Sequence, residues 1–227
     1  MMRFLVLPAV VLGTLTGAVR PADAPKLALK HARADPPADL AEAVRKLLPG
    51  ECEQVADAGG SLVAEVWFRD DIPTLATEEQ AKNGLTYREL PPGVLLGAVR
   101  FPAPFVDYRK QTIPAGAYTL RFAVQPDIGD HTGTAPHPEF CLMSPAGKDK
   151  SAEPLAVKSL IERSSEVNEG KHPVVLLLFP NYAKDDGPKV VGKGDGVWVV
   201  NVRRPVAAGE TKTTLGFGIT VAGMWKQ

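Results

Sequence analysis

Short alternating segments bounded by proline or glycine constrain the fold of this chain more than any other sequence feature. In residues 117–125, the apolar side chains Tyr118, Leu120, Phe122 and Val124 alternate with residues of the opposite face, directly after a Pro-Ala-Gly turn. A period of two predicts a strand with one buried face. Most of the 21 glycines and 21 prolines lie between such segments, which indicates many turns. The pattern therefore predicts a mainly β protein.

The segments and their connections predict an antiparallel β-sandwich of about nine strands. Residues 85–101 read as a hairpin, and the apolar residues 174–179 as a central strand. A helix is predicted in residues 35–48 and an inserted helix in residues 154–165, with a shorter one in 77–83. Most connections are too short for the crossover helices that a parallel sheet requires.

The N-terminus predicts export. Residues 1–18 contain Arg3, an apolar stretch and small terminal residues, the layout of a secretory signal peptide with cleavage after Ala18 or Ala24. The stretch is short for a membrane anchor, so we expect no transmembrane anchor in the mature chain and a periplasmic or extracellular location. The predicted organisation is a signal peptide and leader (1–24), an N-terminal extension with a helix (25–60) and a β-sandwich domain (61–227).

Charge excludes some classes of partner. The chain has 26 Lys and Arg against 26 Asp and Glu. Such a balance lacks the basic excess that binds nucleic acid or anionic membranes. We therefore expect no nucleic-acid partner.

Three segments resemble an uncharacterised family of exported bacterial β-sandwich proteins: PAGAYTLRF (114–122), QPDIGDHTG (125–133) and HPVVLLL (172–178). The similarity extends over about residues 84–180 and favours the exported sandwich described above. The family has no known activity, so the resemblance implies no substrate. It draws attention to Asp130, His131 and His172, which lie in the matching segments.

The segment 129–141 contains several metal-ligating residue types within a few positions. Carboxylates, imidazoles and thiolates bind divalent transition metals, and the candidate ligands are Asp130, His131, His137, Glu139 and, from a remote position, His172. The spacing matches no established metal motif. The alternative is that these side chains bond the loop's own backbone or remain solvated.

The two cysteines, Cys52 and Cys141, have two interpretations. Disulfides persist in oxidising compartments, so an exported chain can bridge them. Alternatively, both are unpaired and buried as small apolar residues.

Several other residues bear on binding. Trp67 lies on the more polar face of its predicted strand, where it either stacks on a ligand such as a sugar or is covered by another element; we favour the cover. Gly216 and Gly218 share one face of the last predicted strand and permit close approach of another backbone.

The sequence contains no nucleophile elbow and no phosphate-binding loop. We therefore expect a non-enzymatic protein that binds an envelope ligand or protein, with a metal-binding protein or metal-dependent enzyme as the alternative.

Overall fold

The strands begin and end where turns interrupt the apolar pattern. The computed structural model describes residues 26–107, 109–125, 137–168, 172–184, 187–194 and 196–223. The strands are β1 (Ala28–Arg33), β2 (Glu51–Ala56), β3 (Leu62–Phe68), β4 (Ile72–Pro73), β5 (Leu95–Phe101), β6 (Phe105–Val106), β7 (Thr112–Ile113), β8 (Gly116–Val124), β9 (Glu139–Pro145), β10 (Val175–Pro180), β11 (Lys189–Gly192), β12 (Trp198–Ala208) and β13 (Thr211–Ala222). The helices are α1 (Glu42–Arg45), α2 (Glu78–Asn83) and α3 (Val157–Glu166), with 3₁₀ turns at Tyr87–Glu89 and Ala146–Lys148.

A single sheet contains all of these strands except the small β6–β7 pair. Its order is β1-β2-β3-β5-β8-β9-β10-β13-β12-β11, and β4 joins it through parallel pairing with β12. Neighbours along that order are antiparallel. The mainly β prediction is confirmed. The predicted β-sandwich is not confirmed, because these strands form one continuous sheet and not two separate ones.

The sheet curls so that its inner face encloses the main core. Phe68 of β3 packs edge-on against Phe217 of β13, with ring centroids 5.8 Å apart. Four strands separate β3 from β13 in the sheet order, which is about 24 Å in a flat sheet at about 4.8 Å per strand. Curling therefore brings distant strands into one apolar cluster.

Two smaller clusters cover parts of the outer face. One lies under the segment that contains α1, where Leu40, Val44 and Leu48 are buried against Trp67. The other lies under α3 and includes Leu160 and Val175. The predicted inserted helix is confirmed as α3, and the short helix in 77–83 as α2.

The predicted N-terminal helix is much shorter than expected. Only Glu42–Arg45 is α-helical, although Leu40, Val44 and Leu48, three of the four apolar residues expected on one face of the helix, are buried. No side chain caps the helix, and its apolar residues need only one turn to reach the sheet. The preceding and following residues form β1 and β2, so residues 26–56 contribute two strands to the sheet.

In the predicted 85–101 hairpin, the first strand is wrong, whereas the second strand is confirmed as β5. Residues 86–89 form a 3₁₀ turn, because Thr86 Oγ1 accepts a hydrogen bond from the Arg88 N–H and the Glu89 carboxylate accepts one from the Thr86 N–H at 2.8 Å. These local bonds compete successfully with strand pairing.

The longest helix of the described residues is α3. No helix among these residues is long and apolar enough to cross a membrane.

Candidate functional site

A cleft of about 980 Å³ opens where α2 and the 3₁₀ turn Tyr87–Glu89 face the ends of β9, β10 and β13. This volume lies at the upper end of the range for small-molecule sites. The lining residues are Asn83, Gly84, Leu85, Thr86, Tyr87, Arg88, Glu89, His137, Glu139, Leu178, Pro180, Asn181, Tyr182, Lys184, Arg203, Thr213, Thr214 and Gly216. Its volume exceeds those of three other cavities among the described residues, which are about 680, 370 and 360 Å³.

One wall is the 3₁₀ turn, which its own hydrogen bonds hold rigid. In addition to the cap by Thr86 and Glu89, the Glu89 carbonyl accepts hydrogen bonds from the Leu75 N–H at 2.7 Å and the Thr74 hydroxyl at 2.8 Å. The turn places the ring of Tyr87 at the cleft, tilted against Phe122 with centroids 6.4 Å apart.

The Tyr87 hydroxyl is the least satisfied polar group of this wall. It is buried and has no hydrogen-bond partner. Burial raises the pKa of Tyr87 well above its ordinary value, so the hydroxyl stays neutral and keeps both a donor and an acceptor function. An unpaired buried hydroxyl costs about 1–3 kcal/mol, which a ligand hydroxyl at this position would offset.

The opposite wall is residues 181–184, which we call the strap. The Asn181 N–H donates to the Gly216 carbonyl at 3.3 Å, and the Asn181 side chain donates to the Val202 carbonyl at 3.1 Å and accepts from the Ala183 N–H at 3.1 Å. Arg203 donates to the Ala183 carbonyl at 3.1 Å. The strap is therefore anchored to β12 and β13.

Tyr182 projects from this anchored strap at the rim of the cleft. Its side chain is 83% exposed, although the residues on both sides of it are hydrogen-bonded. The ring therefore stands on a fixed backbone and presents an apolar face to solvent.

Charges of both signs line the cleft. Arg88, Lys184 and Arg203 supply the cations, and Glu89 and Glu139 supply the carboxylates. The mixture lacks the single-sign field that selects a highly charged ligand.

Comparisons with known proteins identify no relative. No family model, no curated protein and no solved structure matches this chain. The site is therefore interpreted from its own residues.

The structure brings two of the five predicted metal ligands to the cleft. Glu139 and His137 both line it, and the His137 ring packs edge-on against Phe179 with centroids 5.8 Å apart. His172 lies beside the far end of β9, because β10 runs antiparallel to that strand. The seven-residue β9 separates the two histidines by roughly 20 Å at about 3.3 Å per residue.

Asp130 and His131 lie outside the described residues, as do the predicted signal peptide and its cleavage sites. Within the ranges that the structure describes, no three His, Cys, Asp or Glu side chains come close enough to hold a metal ion. His172 is too distant to complete a site with His137 and Glu139.

Of the two interpretations of Cys52 and Cys141, the structure has the second, because both cysteines are free and buried. Cys52 lies on the outer face of β2 with Trp67, whereas Cys141 lies on the inner face of β9. Four steps along the sheet order separate their strands, and a disulfide needs Cα atoms within about 7 Å. Burial raises the pKa of the Cys52 thiol to about 11 and that of the Cys141 thiol further, which disfavours the thiolate that binds metal or attacks carbon.

The cover predicted for Trp67 is confirmed. The indole is only 2% exposed, and its N–H donates to the Ala34 carbonyl at 2.8 Å. The close approach predicted at Gly216 is also confirmed, because a Cβ there would lie 2.1 Å from the Asn181 carbonyl oxygen. Trp67 is therefore structural, and Gly216 shapes the strap wall of the cleft.

Asp107 is a buried carboxylate in the segment that joins β6 to β7. It is fully buried and accepts hydrogen bonds from the Gln111 N–H at 2.8 Å and the Gln111 side-chain amide at 2.9 Å. Burial raises the pKa of Asp107 above its ordinary value, and the Gln111 bonds only partly oppose this.

We expect Asp107 to make stability fall as pH rises. The native state holds the proton more tightly than the unfolded state, so ionisation favours unfolding from about pH 4 up to the raised pKa, by up to about 1.4 kcal/mol per pH unit. Asp107→Asn removes this slope. The variant is also less stable at every pH, because its new side-chain amide faces the amide donor of Gln111. The quantity compared is therefore the slope of the unfolding free energy against pH.

Urea denaturation between pH 4 and 7 measures this slope. The exposed carboxylate variant Asp39→Asn is the matched control and keeps the wild-type slope. Equal slopes for the wild type and Asp107→Asn would contradict the assignment.

Proposed function

We propose that this chain is an exported, non-enzymatic binding protein that holds a small polar ligand of the cell envelope in the cleft. The observation that carries the proposal is that both walls are fixed by their own hydrogen bonds before any ligand arrives. A site organised in advance loses little conformational entropy on binding. The signal-like residues 1–18 support the envelope as the compartment in which the ligand is met.

A cleft-blocking variant tests the proposal. Asn83 is exposed and lines the cleft, whereas its neighbour Lys82 is exposed on the same helix and does not line it. We expect Asn83→Trp to obstruct the cleft and Lys82→Trp to leave it open. The probe is the low-molecular-mass polar extract of a bacterial cell envelope.

The expected result is a rise in the thermal midpoint of the wild type and of Lys82→Trp but not of Asn83→Trp. A ligand at one hundred times its Kd adds about 2.7 kcal/mol, which is roughly 5–10 °C for a chain of this size. No shift in the wild type, or equal shifts in the two tryptophan variants, would overturn the proposal.

Metal binding is the second candidate, and the position of Glu139 and His137 in the same cleft favours it. The thermal measurement distinguishes the two when it is repeated after EDTA treatment and re-addition of Zn²⁺. A midpoint that depends on Zn²⁺, and loses this dependence in Glu139→Gln, supports the metal site. A ligand-induced shift that EDTA leaves unchanged supports the metal-free binding protein.

A further inference from the structure

We propose that the ligand class of the cleft is a neutral oligosaccharide, bound by stacking on Tyr182 and by hydrogen bonds to Tyr87 and Glu139. This inference rests on the function proposed above and specifies its ligand. Three features of the described residues carry it: a fixed exposed ring, polar groups along the cleft and a mixed charge.

The ring of Tyr182 has the properties of a stacking platform. A sugar ring presents an apolar C–H face, and an aromatic ring with a polar tip covers such a face while its hydroxyl stays in water. The ring is 83% exposed, so a ligand gains contact area without displacing a protein side chain. Because Asn181 and Ala183 are hydrogen-bonded on either side, placing the ring costs little entropy on binding.

The polar groups of the cleft match a polyhydroxylated ligand. The Tyr87 hydroxyl is buried and unpartnered, and Glu139 lies at the end of β9 in the same cleft. The first group both donates and accepts, whereas the ionised carboxylate only accepts. A sugar hydroxyl both donates and accepts, so it can bond to either group, whereas an apolar ligand would leave the buried Tyr87 hydroxyl unpaired at a cost of about 1–3 kcal/mol.

The charge of the cleft favours a neutral sugar over a polyanion. Arg203, which anchors the strap, already donates to the Thr214 hydroxyl at 2.7 Å and to the Ala183 carbonyl at 3.1 Å. The carboxylate of Glu139 in the same cleft repels an acidic ligand. Recognition therefore falls to hydroxyl contacts and stacking, which a neutral oligosaccharide provides.

An oligosaccharide array followed by calorimetry tests this inference. The array presents neutral and uronic-acid-containing oligosaccharides, and the best neutral binder is titrated into each variant. We expect Tyr182→Ala to weaken binding about tenfold and Tyr182→Phe to retain most of it, because the ring supplies the contact. Tyr87→Phe, which removes only the hydroxyl, should weaken binding about fivefold.

The control is Val157→Ala, an exposed position on α3 away from the cleft, which should bind as the wild type does. Binding of no neutral oligosaccharide, preference for the acidic sugars, or unchanged affinity in both Tyr182→Ala and Tyr87→Phe would overturn the inference. If no sugar binds but the envelope extract still stabilises Lys82→Trp and not Asn83→Trp, the binding function stands and only the ligand class is wrong. If neither probe acts, both fail.

Discussion

Replacing Arg121 with Met is expected to destabilise the protein by about 3–5 kcal/mol, which is a large part of the stability of an ordinary domain. Arg121 and Asp149 are both completely buried on the outer face of the sheet. The guanidinium donates to both carboxylate oxygens of Asp149, at 2.6 and 2.9 Å. It also donates to the Gly93 carbonyl at 2.7 Å and to two carbonyls of the loop that follows Asp149.

The cost arises because Arg121→Met leaves the carboxylate of Asp149 buried without its main partner. Thr119 donates one hydrogen bond to it at 2.7 Å, and the partly exposed Arg163 lies 3.8 Å away, but neither replaces the two hydrogen bonds of the buried guanidinium. The variant also frees the loop carbonyls that the guanidinium satisfies. The loop over this part of the sheet should therefore detach before the rest of the fold.

Guanidinium chloride denaturation checks this expectation. The double variant Arg121→Met with Asp149→Leu removes both charges and should recover a substantial part of the loss. The exposed i,i+4 pair of Glu42 and Lys46 provides the control, because Lys46→Met should leave the stability almost unchanged. A loss below about 1 kcal/mol in Arg121→Met would contradict the assignment.

Replacing Gly216 with Ala is expected to destabilise the protein by about 1–3 kcal/mol and to weaken binding in the cleft. An added Cβ would lie 2.1 Å from the Asn181 carbonyl oxygen and 3.0 Å from Arg203 Nη1. The carbonyl belongs to the backbone and cannot rotate away, so the strap must move. Movement of the strap shifts Tyr182 and widens the cleft.

Gly192→Ala is the matched control for this change. Its added Cβ would meet only the Trp198 ring at 3.6 Å, an ordinary contact. Its free energy of unfolding should stay within about 1 kcal/mol of the wild type or rise slightly, since alanine restricts the unfolded chain. Denaturation measures the loss of stability, and the extract-induced thermal shift measures the loss of binding. If Gly216→Ala and Gly192→Ala gave the same values in both measurements, the strap would tolerate a side chain at position 216.

Alternation predicted the strands better than it predicted their partners. The pattern correctly located β3, β5, β8 and β10, because a strand with one buried face or two has a local sequence signature. It failed for residues 85–90, where the hydrogen bonds of Thr86 and Glu89 form a 3₁₀ turn instead. Side-chain bonds to the local backbone leave little trace in hydrophobic periodicity.

Part of the candidate site was visible in the sequence. Glu139 and His137 stand out because ligating residue types cluster around them, and Gly216 because glycine inside a strand indicates close approach. Tyr87 and Tyr182 were missed, because each is a single tyrosine in a turn or connection. Alternation places Arg121 on the face of its strand opposite Tyr118 and Phe122, and it does not predict that the residue is fully buried.

The sequence by itself determined the strand content, the positions of most turns and the balanced charge, because these properties follow from neighbouring residues and from composition. Only the tertiary structure decided that the strands form one curled sheet, that Cys52 and Cys141 lie on opposite faces, and that α2, the 3₁₀ turn and the strap meet around one cleft. The cleft brings together residues more than a hundred positions apart, such as Tyr87 and Gly216. Local patterns carry no information on such distances, since sheet order and curvature depend on the packing of the whole core.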